Sequence, residues 1–194
     1  MKQNYNNIMK QEISSFGEKP KLLLHCCCAP CSSAVIERIS KFFDITFFFY
    51  NPNIYPQKEY EQRKSEFSKL NVQVAELGYN HAEFLAWATG LENEIEGGER
   101  CQVCIRKRME KAFEYAKINN FDVVTTTLSI SPHKDSEYIN KTGEELEGIY
   151  GVKYLHADFK KENGYLRSIQ ICREKGIYRQ DYCGCEFSIN KTNH

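Results

Sequence analysis

Apolar and polar positions along the chain change period repeatedly, and each change marks the edge of an element. Residues 21–25 (KLLLH) form a short apolar run that predicts a buried strand, and residues 32–41 follow with apolar side chains at helical spacing. Residues 44–50 (DITFFFY) predict a second strand, because a compact β-branched and aromatic run is bounded by charge before it and Asn51-Pro52 after it. Residues 57–70 read as a charged amphipathic helix, 72–77 as a third strand and 82–88 as a short helix. Beyond the Gly97-Gly98 break, Ile105, Met109, Ala112, Phe113 and Ala116 share one helical face, while Arg106, Lys107, Arg108 and Lys111 fall largely elsewhere. A fourth strand is predicted over 122–128 (DVVTTTL), a helix over 136–148, a fifth strand over 152–155 and a last helix over 165–175, before a tail rich in Tyr and Cys.

Strands alternating with helices predict an α/β fold, a parallel sheet flanked by helices on both faces. Residues 1–20 read as a frayed or helical lead-in ending at Pro20, and residues 21–194 as a single metal-binding catalytic domain. In such sheets ligands bind beyond the carboxyl ends of the strands. The Cys-rich turn after the first strand and the 129–135 loop after the fourth both fall there.

Composition narrows the function. A chain of 194 residues, 41% hydrophobic, suits one well-buried domain. Lys and Arg number 26 against 26 Asp and Glu, so no bulk attraction draws the protein to nucleic acid, and RNA binding requires a local basic patch. The polar, Asn/Gln-rich stretch from Met1 to Lys10 holds no apolar run long enough for a signal peptide or a membrane span, so a cytoplasmic protein, monomeric by default, is expected. In a reducing compartment nine closely spaced cysteines point to metal ligands or redox catalysts rather than structural bridges, and an odd number leaves one unpaired in any all-disulfide scheme.

Cys26, Cys27 and Cys28 are consecutive and Cys31 follows at the mouth of a helix, while Cys101 and Cys104 form a second Cys-x-x-Cys at the start of another. Residues three apart share a helix face, so both thiolates of the second pair can point at one centre. Adjacent cysteines rarely reach one zinc together, whereas an iron–sulfur cluster offers separate irons to neighbouring thiolates; two helix N-termini offset the resulting negative charge. Cys183-Gly184-Cys185 is too tight for a relaxed metal loop but suits a redox dithiol. Cys26 at a strand end and Cys172 inside a helix read as packing residues. A zinc site with four thiolates, as in an RNA-binding module, stays open as an alternative. So does a thioredoxin-like oxidoreductase built on Cys28-Ala29-Pro30-Cys31, although that fold has no use for the second cysteine pair.

Five motifs carry a more specific likeness: His25-Cys26-Cys27-Cys28-Ala29-Pro30-Cys31-Ser32, Asn51-Pro52-Asn53-Ile54, Arg100-Cys101-Gln102-Val103-Cys104, Ser131-Pro132-His133-Lys134-Asp135, and Tyr178-Arg179-Gln180-Asp181-Tyr182-Cys183-Gly184-Cys185. In this order they resemble the QueH-type epoxyqueuosine reductases over nearly all the chain beyond residue 20. The resemblance implies a fold related to the nucleotide alpha-hydrolase (HUP-like) group, with the phosphate-binding loop replaced by the Cys-rich turn. It also implies a [4Fe-4S] cluster with an adjacent iron, and removal of the epoxide oxygen of epoxyqueuosine in tRNA as water.

On that resemblance Cys27, Cys28, Cys101 and Cys104 are the expected cluster ligands. Cys31 ligates the extra iron or replaces one of the four, and Cys183 with Cys185 forms a redox-active disulfide. Asp135 and His133 stand where a carboxylate binds iron or delivers a proton, with a helix N-cap as the alternative for Asp135. The expected partners are the tRNA anticodon arm carrying epoxyqueuosine and an external electron donor. Arg100, Arg106, Lys107, Arg108, Lys160, Lys161, Arg167 and Arg179 are the candidates for phosphate contacts, and Tyr178 and Tyr182 for base stacking.

Overall fold

A computed structural model describes residues 3–189; residues 190–194, the end of the expected domain, lie outside the described residues. Five parallel strands, β1 (Lys21–His25), β2 (Asp44–Phe49), β3 (Val74–Glu76), β4 (Val123–Thr126) and β5 (Lys153–Tyr154), form one sheet in the order β3-β2-β1-β4-β5. The helices are α1 (Tyr5–Ser15), α2 (Ala29–Ile39), α3 (Gln57–Ser65), α4 (His81–Ala88), α5 (Glu99–Ile118), α6 (Ser136–Tyr150), α7 (Gly164–Lys175) and the short α8 (Glu186–Ile189). The expected α/β fold with a helix-covered parallel sheet is therefore present, and the strand order is compatible with the HUP-like arrangement.

Alternation along the two central strands divides the core into two layers. Leu22, Leu24, Phe47 and Phe49 pack with Met9, Val35, Ile39, Tyr60, Phe67 and Ile171 on one face, while Leu23 and Phe48 pack with Met109, Ala112, Phe113, Ile139 and Leu146 on the other. Burial on both faces is why these strands are continuous apolar runs. The lead-in is built into the first layer: Asn4 caps α1, whose Tyr5 and Met9 are buried.

Several boundaries differ from the sequence reading for local reasons. Helix α2 begins at Ala29 rather than residue 32, because Cys28 serves as its N-cap and Pro30 fits the first turn. The expected 57–70 helix tightens after Ser65 into a 3₁₀ turn over Glu66–Leu70, closed by Asn71 at φ +51°. Strand β4 stops at Thr126, whose side chain accepts from Leu128 N (3.2 Å) and turns the chain into a 3₁₀ segment, Thr127–Ile130. Strand order reverses between β1 and β4, so the Cys-rich turn and this segment flank the crevice where such sheets bind ligands.

Candidate metal and thiol centre

The Cys-rich turn places its sulfurs in different settings. Cys26 remains part of the sheet: its N–H donates to Phe48 O (3.0 Å), its carbonyl accepts from Asn51 Nδ2 (2.9 Å), and its buried thiol donates to Leu24 O (3.1 Å). Cys28 is buried too, whereas Cys27 and Cys31 are half-buried. Cys27 Sγ lies 3.7 Å from Cys28 Sγ, Cys31 N donates to Cys28 Sγ (3.4 Å), and the sulfurs of Cys27, Cys28 and Cys31 all lie within 4.8 Å of one another. Hydrogen bonds from Cys28 and Cys31 hold the Cys27 thiol well below its ordinary range. Burial, with Cys27 beside it, pushes Cys28 up to about 12, and donation to Cys27 and Cys28 raises Cys31. The trio thus favours ionisation at Cys27 over Cys28 and Cys31, a soft, preformed donor set for a metal.

Helix α5 brings the second pair. Cys101 Sγ accepts from Gly97 N (3.3 Å), and burial pushes the Cys104 thiol up to about 11. Cys101 and Cys104 line a cavity with Cys183, Cys185, Arg108, Lys134 and Asp135. Cys27 and Cys31 line a larger cleft of about 430 Å³ with Tyr165, Arg179 and Gln180. Lys134, His133, Glu96 and Cys183 border both, so the two cysteine groups open onto adjoining space.

The tail crosses this space as a strap. Buried Arg63 donates to the carbonyls of Cys183 (3.1 Å) and Tyr182 (3.3 Å), with its cation 5.0 Å from the Tyr182 ring centroid. Gly184 has φ +123°, and a Cβ there would stand 2.9 Å from Arg63 Nη1 and 3.2 Å from Ile54 Cγ1, so glycine is required between the two cysteines. Gln180 Nε2 donates to Cys28 Sγ (2.9 Å), Lys134 Nζ to Cys183 Sγ (3.3 Å), and the Cys185 thiol to Ser188 Oγ (3.6 Å). Cys183 and Cys185 are both free thiols here.

Of the other expected residues, Asp135 is the N-cap of α6, accepting from Glu137 N (2.8 Å), and it also borders the Cys101 cavity. Two of the RNA candidates lie inside the fold. Arg100 is buried and donates to the carbonyls of Leu91, Glu92 and Glu94, so it organises the loop before α5. Arg108 is buried as well, donating to Asn51 Oδ1 at the cavity wall. Arg106 is half-exposed and paired with Glu145, Tyr178 OH donates to Glu59, and Arg179 lies over Tyr165 at the cleft. Arg63, Lys134 and Gln180 carry roles that the residue-level reading did not assign.

An α/β protein with a buried thiol centre at the switch point of a parallel sheet is what this fold and site define. The family described as "Epoxyqueuosine reductase QueH" matches residues 22–191. A relative from Streptococcus pyogenes serotype M1, named epoxyqueuosine reductase QueH, is 43% identical over 95% of this chain and 78% of its own length. Relatives of the same name from Staphylococcus epidermidis (40% identical; 97% of this chain, 85% of its own) and Thermotoga maritima (37%; 87% and 90%) are also similar. The chain belongs to the QueH family. No helix among the described residues is long and apolar enough to cross a membrane.

Proposed function

We propose that this chain is an epoxyqueuosine reductase that removes the epoxide oxygen of epoxyqueuosine in tRNA and leaves queuosine, acting in the cytoplasm. The observation that carries the reading is the convergence of the Cys27, Cys28 and Cys31 sulfurs within 4.8 Å of one another at the mouth of the β1/β4 crevice, in a chain of this family. Cys27 and Cys28 from the turn and Cys101 and Cys104 from α5 are the proposed ligands of a [4Fe-4S] cluster. Cys31, within reach of both turn cysteines, is the proposed ligand of an adjacent iron. The donor set fits: the Cys27 thiol is shifted toward ionisation, and Lys134 borders both the cleft lined by Cys27 and Cys31 and the cavity lined by Cys101 and Cys104. When bound, such a group supplies single electrons and a Lewis acid for the epoxide oxygen.

The chain's own residues account for the remainder. Both C–O bonds of the epoxide break, a carbon–carbon double bond forms, and the oxygen leaves as water after taking up two electrons and two protons. Oxidation of Cys183 and Cys185 from dithiol to disulfide releases two electrons and two protons, so the step balances, and an external donor must then reduce the disulfide. Gly184 lets the two sulfurs approach, Arg63 fixes the backbone that carries them, and Lys134 presents N–H donors beside Cys183 and the cleft. The cleft of about 430 Å³ suits one modified nucleoside, with Arg179 and Tyr182 on its wall. Arg106, Lys107 and Arg179 are the proposed phosphate contacts.

Anaerobically purified protein is expected to be brown, to contain both iron and sulfide with iron in excess of sulfide by the adjacent iron, and to convert epoxyqueuosine tRNA in a single turnover. Colourless protein holding zinc and inactive toward that tRNA would overturn the reading in favour of a zinc module. Affinity for the anticodon arm should fall with salt by a slope of about 0.7 per phosphate contact, shallow for a protein without net charge.

A further inference from the structure

Arg108 is a buried cation with no carboxylate beside it and a proposed thiolate ligand one helical turn away. Its side chain is 2% exposed, Nη2 donates to Asn51 Oδ1, Nη1 stands 4.0 Å from Cys104 Sγ, and Nε has no partner. Of the other two buried arginines of the site, Arg63 Nε meets Glu59 at 2.7 Å, whereas Arg100, whose Nε also lacks a partner, donates to three carbonyls at 2.7–2.9 Å and lies over the Phe187 ring, away from the turn cysteines. Among the described residues no ion pair joins Arg108 to a carboxylate. The titratable groups that feel its charge are Cys27, Cys104, His25, Tyr50 and Lys134. None of these is an acid that ionises on its own at neutral pH, and an isolated buried charge costs several kcal/mol. The groups able to supply the missing negative charge are the thiols, Cys27 on the turn and Cys104 one helical turn before Arg108.

We propose that Arg108 is a built-in counter-ion for the anionic thiolate centre and, as a positioning residue, governs how readily that centre accepts an electron. The inference rests on the function proposed above. Each electron added to a thiolate-bound cluster deepens its negative charge, and a fixed cation at this depth, poorly screened by solvent, favours the reduced form. Asn51 makes the arrangement rigid, since its Nδ2 is held by Cys26 O while its Oδ1 accepts from the guanidinium.

The test uses three variants with the cluster assembled. Arg108→Gln removes the charge but keeps a donor for Asn51, Asn51→Asp neutralises the guanidinium in place, and Arg108→Lys keeps the charge. Iron, sulfide, thermal unfolding and the midpoint potential by anaerobic spectroelectrochemical titration are measured on each. Both neutral variants are expected to lower the potential enough to cut the ratio of reduced to oxidised centre at least tenfold at a fixed potential, about 59 mV for one electron. Arg108→Lys is expected to stay near wild type. An unchanged potential in either neutral variant that holds its cluster overturns the proposal. If neither neutral variant retains a cluster, retention with an unchanged potential in Arg108→Lys upholds it, and loss there too assigns Arg108 to packing. A wild-type protein that binds no thiolate-held metal overturns the functional reading as well, whereas a normal cluster with an unmoved potential overturns only the role of Arg108.

Discussion

Two polar regions lie along the carboxyl side of the same sheet, and they are built to opposite rules. At the β5 flank, His156 has Nδ1 2.6 Å from Glu12 and Nε2 2.9 Å from Glu144, and its ring stacks on Tyr5. Asn140 beside it donates to Ser136 O and Ala157 O and accepts from Ala157 N. At the centre, between β1 and β4, His25 Nε2, Asn53 Oδ1, Arg108 Nε and Gln180 Oε1 are buried without partners. Buried polar groups are normally satisfied, so a concentration of unsatisfied ones marks where folding stability yields to chemistry. Apart from the Tyr5 hydroxyl, also buried without a partner, the flank pairs its charges internally, and the centre leaves several valences for something that arrives.

The largest expected effect tests whether the central cysteines serve metal rather than packing. Cys101→Ala should abolish retention of iron, sulfide and colour, because it deletes a proposed ligand at the start of α5. Cys172→Ala, which removes a buried sulfur from the core beside α2, should cost on the order of 1–2 kcal/mol and leave the metal content intact. Iron and sulfide assays with thermal melts decide the matter. Full metal in Cys101→Ala would break the contrast between the two kinds of cysteine.

A smaller effect is expected at Gly184. An added Cβ would have to displace Arg63, which is fully buried and anchored to two carbonyls, in a backbone region that side-chain residues avoid. Gly184→Ala should therefore cost about 1–3 kcal/mol and slow turnover while preserving the cluster. Wild-type rates with unchanged melting would show that the strap is not held as tightly as its contacts indicate.

What the sequence revealed follows from how local each signal is. The two-layer core was legible in KLLLH and DITFFFY because both strands are buried on both faces, and the apolar face of α5 was legible from its spacing alone. The cysteine groups stood out because each is contiguous or nearly so. By contrast, Arg63, Lys134 and Gln180 reach their sulfur or carbonyl partners across 49 to 152 residues, a distance no periodicity encodes. Arg100 and Arg108 share a helix face with Cys104, one turn to either side. That spacing was the available signal for their burial. The end of β4 was hidden by the β-propensity of its threonines, one of which caps the following turn.

The smallest effect separates the two regions by pH. Burial, with Arg108 nearby, lowers His25 to about 3, so the folded protein keeps it neutral while the unfolded chain protonates it below about 6.5; its contribution to stability falls as pH drops through that value. His156 has the opposite sign. Burial opposes its protonation, but the Glu12 and Glu144 carboxylates outweigh burial and raise it above its ordinary value. Its stabilisation is therefore fully present below about pH 6.5 and is lost as pH rises through the higher folded value. His156→Gln should accordingly destabilise the protein more at pH 5.5 than at pH 8.5, by at most about 1 kcal/mol in the difference. Urea titrations of both proteins at the two pH values read that difference directly. An equal loss at both would mean that His156 acts at the flank as a neutral hydrogen-bonding ring, and that pH does not distinguish the closed region from the open one.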